Sequence, residues 1–158
     1  MKELDIAFRI QECKKEELSA EDLELVERAI AMTSQAYAPY SHFSVGAAIR
    51  LADGLIVSGS NQENAAFPSG TCAERSACFY AAANYPSSAF RAIAVAARDT
   101  DGELTASPIS PCGGCRQALL EYEKLAGRPV KVLLTGRDSV YILPSVKSLL
   151  PLAFDSFK

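Results

Sequence analysis

Apolar residues alternate with others at Leu4, Ile6, Phe8 and Ile10, the period of a half-buried strand, ahead of a charged stretch from Glu12 to Glu17. Ser19 followed by Asp22 resembles a capping box. Leu23, Val26, Ile30 and Thr33 then recur at helical spacing, which predicts a first helix running to about Tyr37 and stopped by Pro39. Two β-favouring runs, Val45 to Leu51 and Leu55 to Ser60, flank Asp53-Gly54, a dipeptide that favours a two-residue hairpin turn. Asn61 to Gly70 is rich in Asn, Pro, Gly and Ser and reads as a loop feeding the Ala-rich helix of TCAERSACFYAAANY. Phe90 to Ala97 has the character of a buried strand, Asp101-Gly102 of a turn, and Pro111 of the first-turn proline of a helix from Cys112 to about Leu125, ended by Gly127. VKVLLT and SVYIL give two more strands, and Ser145 is placed to cap a last short helix, SVKSLL. The order α-β-β-α-β-α-β-β-α predicts one mixed sheet with helices on its faces. No repeat, low-complexity segment or Gly/Ser linker divides residues 1–158, so a single domain is expected.

Composition narrows the function classes. The 158 residues carry 16 Lys and Arg against 19 Asp and Glu, a formal charge of −3, with 49% hydrophobic and 22% charged residues, as in an ordinary globular protein. A pI near 5.2 and no basic run longer than Lys14-Lys15 argue against nucleic acid as the main substrate. The longest apolar stretch, Ala77 to Ala83, is far short of the roughly 20 residues of a membrane-spanning helix. The first residues mix both charges with no basic segment followed by an apolar one, so no secretory signal is expected and the expected compartment is the cytoplasm. In that setting five cysteines, an odd number, point to thiolate chemistry or metal binding rather than a disulfide framework.

Cys72 begins one predicted helix, and Cys112 and Cys115 begin another. Helix N-termini carry partial positive charge and unpaired N–H groups, which favour the thiolate a metal requires. Three ligands leave one tetrahedral position for water, whereas a structural zinc site is closed by a fourth Cys or His. Cys78 lies more than a turn beyond Cys72 on another face, and Cys13 lies in the charged N-terminal segment, so neither is well placed for closure. Taken alone, C-x-x-C also fits a structural zinc site or a redox pair. Cys-Ala-Glu followed 40 positions later by Pro-Cys-x-x-Cys is a more specific combination, and it resembles the zinc-dependent deaminase signature with Cys in place of the first His.

The resemblance extends beyond zinc. AYAPYSHFSVGAAI, SGSNQENAAFPSGTCAERSA, ISPCGGCRQALLEY and SLLPLAF resemble segments of the cytidine deaminases that act on free nucleosides, in the same order, from about Ala36 to Phe154. This implies an α/β fold, a three-layer α/β/α sandwich around a mixed five-stranded sheet, and assembly as a homotetramer. Residues 1–17 lie outside the resemblance as an extension of open role. The implied cofactor is one Zn2+ per chain on Cys72, Cys112 and Cys115. Zinc-activated hydroxide would attack C4 of cytosine, with Glu74 shuttling protons to N3 and to the departing amino group. The implied reaction converts cytidine and 2'-deoxycytidine to uridine and 2'-deoxyuridine, releases ammonia and serves pyrimidine salvage.

By the same resemblance Asn61 and Glu63 hydrogen-bond the ribose, Phe43 packs on the pyrimidine, and the Ala73 amide and Ser110 carbonyl meet its polar edge. Phe154 would complete a neighbouring subunit's site. Arg75 and Gln117 match positions that hydrogen-bond around the metal and tune it. Gln62 stands where Val or Ile is common and is expected to point away from the ribose. His42, the sole histidine, is expected in a surface or packing role. Two alternatives remain at this point: a deaminase of another cytosine compound, of the blasticidin S type, and a zinc-stabilised binding protein without catalysis.

Overall fold

The structure is a computed structural model and describes residues 1–156. Six strands form one mixed sheet: β1 (Gln11–Cys13), β2 (Ser44–Leu51), β3 (Ile56–Ser60), β4 (Phe90–Arg98), β5 (Lys131–Thr135) and β6 (Val140–Leu143). Their spatial order is β1-β6-β5-β4-β2-β3, with β4 and β5 parallel and every other pair antiparallel. Helices α1 (Ala20–Met32), α2 (Ala73–Asn84) and α3 (Gly113–Ala126) cover the two faces.

The alternation of β4 shows why three layers result. Ile93 and Val95 face one way, into a core shared with Ala73, Ala77 and Ala81 of α2 and with Leu119 and Leu120 of α3. Ala92, Ala94 and Ala96 face the other way, against Leu25, Val26 and Ala29 of α1. Small residues let both helix layers sit close to the sheet. A Cβ at Gly46 would lie 2.1 Å from the Ala29 carbonyl oxygen, and one at Gly59 would lie 2.6 Å from the Ala77 nitrogen. Gly59 thus allows α2, and the Cys72 segment before it, to rest on the sheet.

Several expectations need correction. The sheet has six strands rather than five, because β1 pairs with β6 from Gln11 opposite Ile142 to Cys13 opposite Val140. The strand expected over Leu4–Ile10 is absent: those four apolar residues are exposed, and pairing begins only where Cys13 can pack on the α1-side core. The first helix ends at Met32 and passes through a 3-10 turn, Thr33–Gln35; Tyr37 then pairs with Gln62 as an isolated bridge. The hairpin connection is three residues long, Ala52 to Gly54, closed by the Leu51 N–H to the Leu55 carbonyl, with Gly54 at φ 91°. Pro111 precedes the N-cap Cys112 and is not in the first turn of α3. SVKSLL forms a 3-10 turn, Val146–Leu149, and Ser145 caps it by accepting from the Lys147 N–H.

Other readings match the structure. Ser19 accepts from the Asp22 N–H at 3.2 Å, and Gly127 closes α3 in the left-handed region at φ 64°. No described helix is long and apolar enough to cross a membrane.

Candidate active site

Cys72 and Cys112 are the N-cap residues of α2 and α3, both in extended conformation, and neither side chain caps its helix. Their sulfurs are therefore available elsewhere, at the positive ends of two helices. Cys115, one turn into α3, is fully buried. The Sγ atoms of Cys72 and Cys112 are 3.9 Å apart and those of Cys112 and Cys115 3.5 Å apart, and all three lie within 4.8 Å of one another. Zinc–sulfur bonds of about 2.3 Å in a tetrahedron separate sulfurs by roughly 3.8 Å, so the residues present fit a zinc ion. The cluster found among the described residues gathers three donors, and Cys78, on the core-facing side of α2, is buried in the core instead.

Charge at the cluster is shared unequally. A hydrogen bond from Cys115 pulls the Cys72 thiol down to about 5, against the opposing effect of burial, and bonds from Arg75 and Cys112 help. As the donor, Cys115 is held well above the ordinary thiol range, chiefly by that bond to Cys72. The Arg75 Nη2 donates to Cys72 Sγ at 3.6 Å, and its buried Nε has no partner among the described residues. Glu74 is only 4% exposed in the first turn of α2. Burial lifts its carboxyl above the usual range, reinforced by Cys72, while its own backbone N–H and the Cys115 thiol pull the other way.

A cavity of about 530 Å³ opens beside the thiols, with Asn61, Glu63, Cys72 and Arg75 in its wall together with Tyr40 and Ser41. Asn61 links β3 to β2: its Oδ1 accepts from the Val45 N–H at 2.8 Å, and its Nδ2 donates to the Phe43 carbonyl at 2.9 Å. Glu63 accepts from the Tyr40 and Ser41 N–H groups at 2.9 and 3.2 Å, and from the Ser41 hydroxyl. The Ser41 hydroxyl bond, then the Tyr40 N–H, keeps its carboxyl below the ordinary carboxylate range. Gln62 turns toward Gln35 and Ser60, donating to the carbonyl of one and the hydroxyl of the other at 3.3 and 3.0 Å. His42 adopts φ 54° in the turn between Ser41 and Phe43.

Phe43, Ala73, Ser110 and Phe154 are not part of that cavity's wall. Ala73 is fully buried at the start of α2, while Phe43 is partly exposed at the entry to β2. Ser110 lines a separate cavity of about 240 Å³ with Phe8, Ile10, Arg116 and Leu149. Phe154 is 64% exposed, and its carbonyl accepts from Gln117 Nε2 at 2.8 Å. Sequence reasoning missed Ser41, Arg116 and Phe67, whose ring meets that of Tyr40 edge-to-face at 5.9 Å beside the cavity. Ser41 reaches Glu63 across 22 positions and Arg116 reaches Leu149 across 33, while Phe67 carries no motif of its own.

Three sulfur donors at two helix ends, with the buried Glu74 carboxyl two residues from Cys72, define an α/β protein whose donor set suits a zinc ion. The family model described as the cytidine and deoxycytidylate deaminase zinc-binding region matches residues 19–126. The cytidine deaminase of Sporosarcina psychrophila is 43% identical over 133 residues, covering 82% of this chain and 90% of that one. That of Halalkalibacterium halodurans is 39% identical over 130 residues, covering 82% and 91%. The crystal structure of cytidine deaminase from Burkholderia pseudomallei superposes with a TM-score of 0.70 at 44% identity, covering 83% of this chain and 97% of that one. The chain belongs to the cytidine and deoxycytidylate deaminase family of zinc-binding hydrolytic enzymes.

Proposed function

We propose that this chain hydrolyses the 4-amino group of cytidine and 2'-deoxycytidine, giving uridine or 2'-deoxyuridine and ammonia, as a cytoplasmic enzyme of pyrimidine salvage. The observation that carries the reading is the buried Glu74 at the three-thiol cluster, next to a cavity whose wall includes a carboxylate. Zinc, when held by Cys72, Cys112 and Cys115, supplies a Lewis acid and a water made acidic near neutral pH. The Glu74 carboxylate takes a proton from the attacking water and delivers it to N3 as the C4–O bond forms. Glu74 then carries the second proton to the amino nitrogen as the C4–N bond breaks, so one water enters and one ammonia leaves. Arg75, donating to Cys72, offsets the net charge of about −1 that three thiolates leave on a divalent ion.

The base is gripped by Phe43 on its face and by the Ala73 amide and Ser110 carbonyl on its edge, while Asn61 and Glu63 meet the sugar. Asn61 already uses its oxygen and one amide proton within the fold, which leaves one proton to donate. Gln117 acts on the C-terminal segment through the Phe154 carbonyl. Phe154 reaches a neighbouring subunit's site in a homotetramer, a role supported by its exposure. Glu63, held as a carboxylate, favours a neutral nucleoside over a nucleotide, because a 5'-phosphate would meet like charge in the same cavity. Cytidine, deoxycytidine and deoxycytidine 5'-monophosphate compared as substrates test this. Turnover of both nucleosides with little of the monophosphate is expected, and preference for the monophosphate would overturn the assignment.

A further inference from the structure

Arg116 is the fourth residue of α3, near a helix end whose dipole is positive and disfavours a cation. Its guanidinium nonetheless turns back over that end and donates in three directions, each at 2.8 Å: Nε to the Pro111 carbonyl, Nη1 to the Leu149 carbonyl and Nη2 to the Ser110 hydroxyl. Residues 108–112 have no regular secondary structure, so no ladder of backbone hydrogen bonds fixes the chain as it approaches Cys112. Two of the three bonds fall on consecutive residues of that segment, Ser110 and Pro111. The third ties it to the 3-10 turn Val146–Leu149. A lysine, with one nitrogen, does not reproduce this planar fork of three bonds.

We propose that Arg116 is a positioning residue for the amino edge of the pyrimidine: it fixes Ser110 and Pro111 so that the Ser110 carbonyl is held where the 4-amino group of cytosine donates. This rests on the functional reading above, in which that carbonyl meets the base. Arg116 itself touches no reacting atom. Its effect is specific to ligands that carry the amino group, and this separates it from a general role in stability.

The experiment uses full-length, zinc-loaded Arg116→Met, Arg116→Lys and Ser110→Ala beside the wild type. It measures zinc per chain, kcat and KM for cytidine, and inhibition by uridine, which lacks the 4-amino group. Weakening one neutral hydrogen bond, that of the cytosine 4-amino group to the Ser110 carbonyl, corresponds to up to about tenfold in affinity. Arg116→Met is expected to raise KM for cytidine by about that factor, with zinc content and uridine inhibition close to wild type. Arg116→Lys is expected to recover part of the loss. Ser110→Ala, which removes one of the three bonds and keeps the carbonyl, is expected to raise KM by a smaller factor. It carries the test if Arg116→Met does not fold. An equal loss of cytidine and uridine binding overturns the proposal in favour of a general structural role, as does an unchanged KM in Arg116→Met or, if that variant does not fold, in Ser110→Ala. Absence of wild-type turnover overturns the functional reading, and this inference with it.

Discussion

Glu123 on α3 is 9% exposed, and its carboxylate joins three parts of the chain. One oxygen accepts from the Val130 and Val146 N–H groups, both at 2.8 Å, and the other from the Ser145 hydroxyl at 2.7 Å and the Lys147 N–H at 3.3 Å. Replacing it by alanine strands these donors. Val130 and Val146 are 1% and 0% exposed, so water cannot take over there. A buried donor left unpaired costs about 1–3 kcal/mol, so the pair costs roughly 2–6 kcal/mol, while Ser145 and Lys147 reach solvent and add little. At about 2–4 °C per kcal/mol for a chain of this size, a central loss of about 4 kcal/mol lowers Tm by roughly 8–16 °C. The assay is thermal and urea unfolding of Glu123→Ala with excess zinc at fixed protein concentration, since ligand and assembly both shift apparent stability. Glu121→Ala is the control, because Glu121 faces solvent with Lys124 3.9 Å away, and such exposed pairs contribute about 0–1 kcal/mol. A Glu123→Ala loss no larger than the control would refute the assignment of a buried anchor.

Ser41→Ala should raise the Glu63 pKa toward its ordinary 4.5. A depressed carboxylate stabilises the fold above its unfolded pKa and loses that contribution as pH falls through the folded value, so the variant should unfold at higher pH on the acid side. A carboxyl titration followed by NMR checks it, and an unmoved Glu63 would count against the Ser41 bond. Cys78, whose thiol burial pushes up to about 12, should resist iodoacetamide in the folded metal-free chain at pH 8, whereas Cys72 should react first. Cys78→Ala should still bind one zinc per chain by mass spectrometry, and lost zinc would make Cys78 a ligand. Phe154→Ala should raise KM for cytidine several-fold with zinc retained, and unchanged kinetic constants would remove Phe154 from a neighbouring site.

The metal cluster was legible because its signal is local. Cys72 stands at the start of one helix, and Cys112 and Cys115 one turn apart at the start of another, so element boundaries alone bring three sulfurs to two helix ends. The helices and central strands were legible for the same reason, as the two faces of β4 show in their alternation of Ala with Ile and Val. Leu4 to Ile10 failed because alternation describes a strand only when a neighbour offers an edge and a core, and here pairing starts at Gln11. The polar supports were hidden by sequence distance. Ser41 reaches Glu63 across 22 positions, Arg116 reaches Leu149 across 33, and Glu123 reaches Val146 across 23. None of these pairs leaves a periodic trace, because each depends on where the sheet brings loops together.

The central claim is that Glu74, buried at a three-thiol zinc centre, moves the protons of cytidine hydrolysis. Its most direct test is conversion of cytidine to uridine by purified zinc-loaded protein, followed by ultraviolet absorbance, with Glu74→Gln beside it. The account predicts turnover by the wild type and a fall of at least about a hundredfold in Glu74→Gln, with one zinc still bound per chain. Comparable turnover by the two proteins would contradict it.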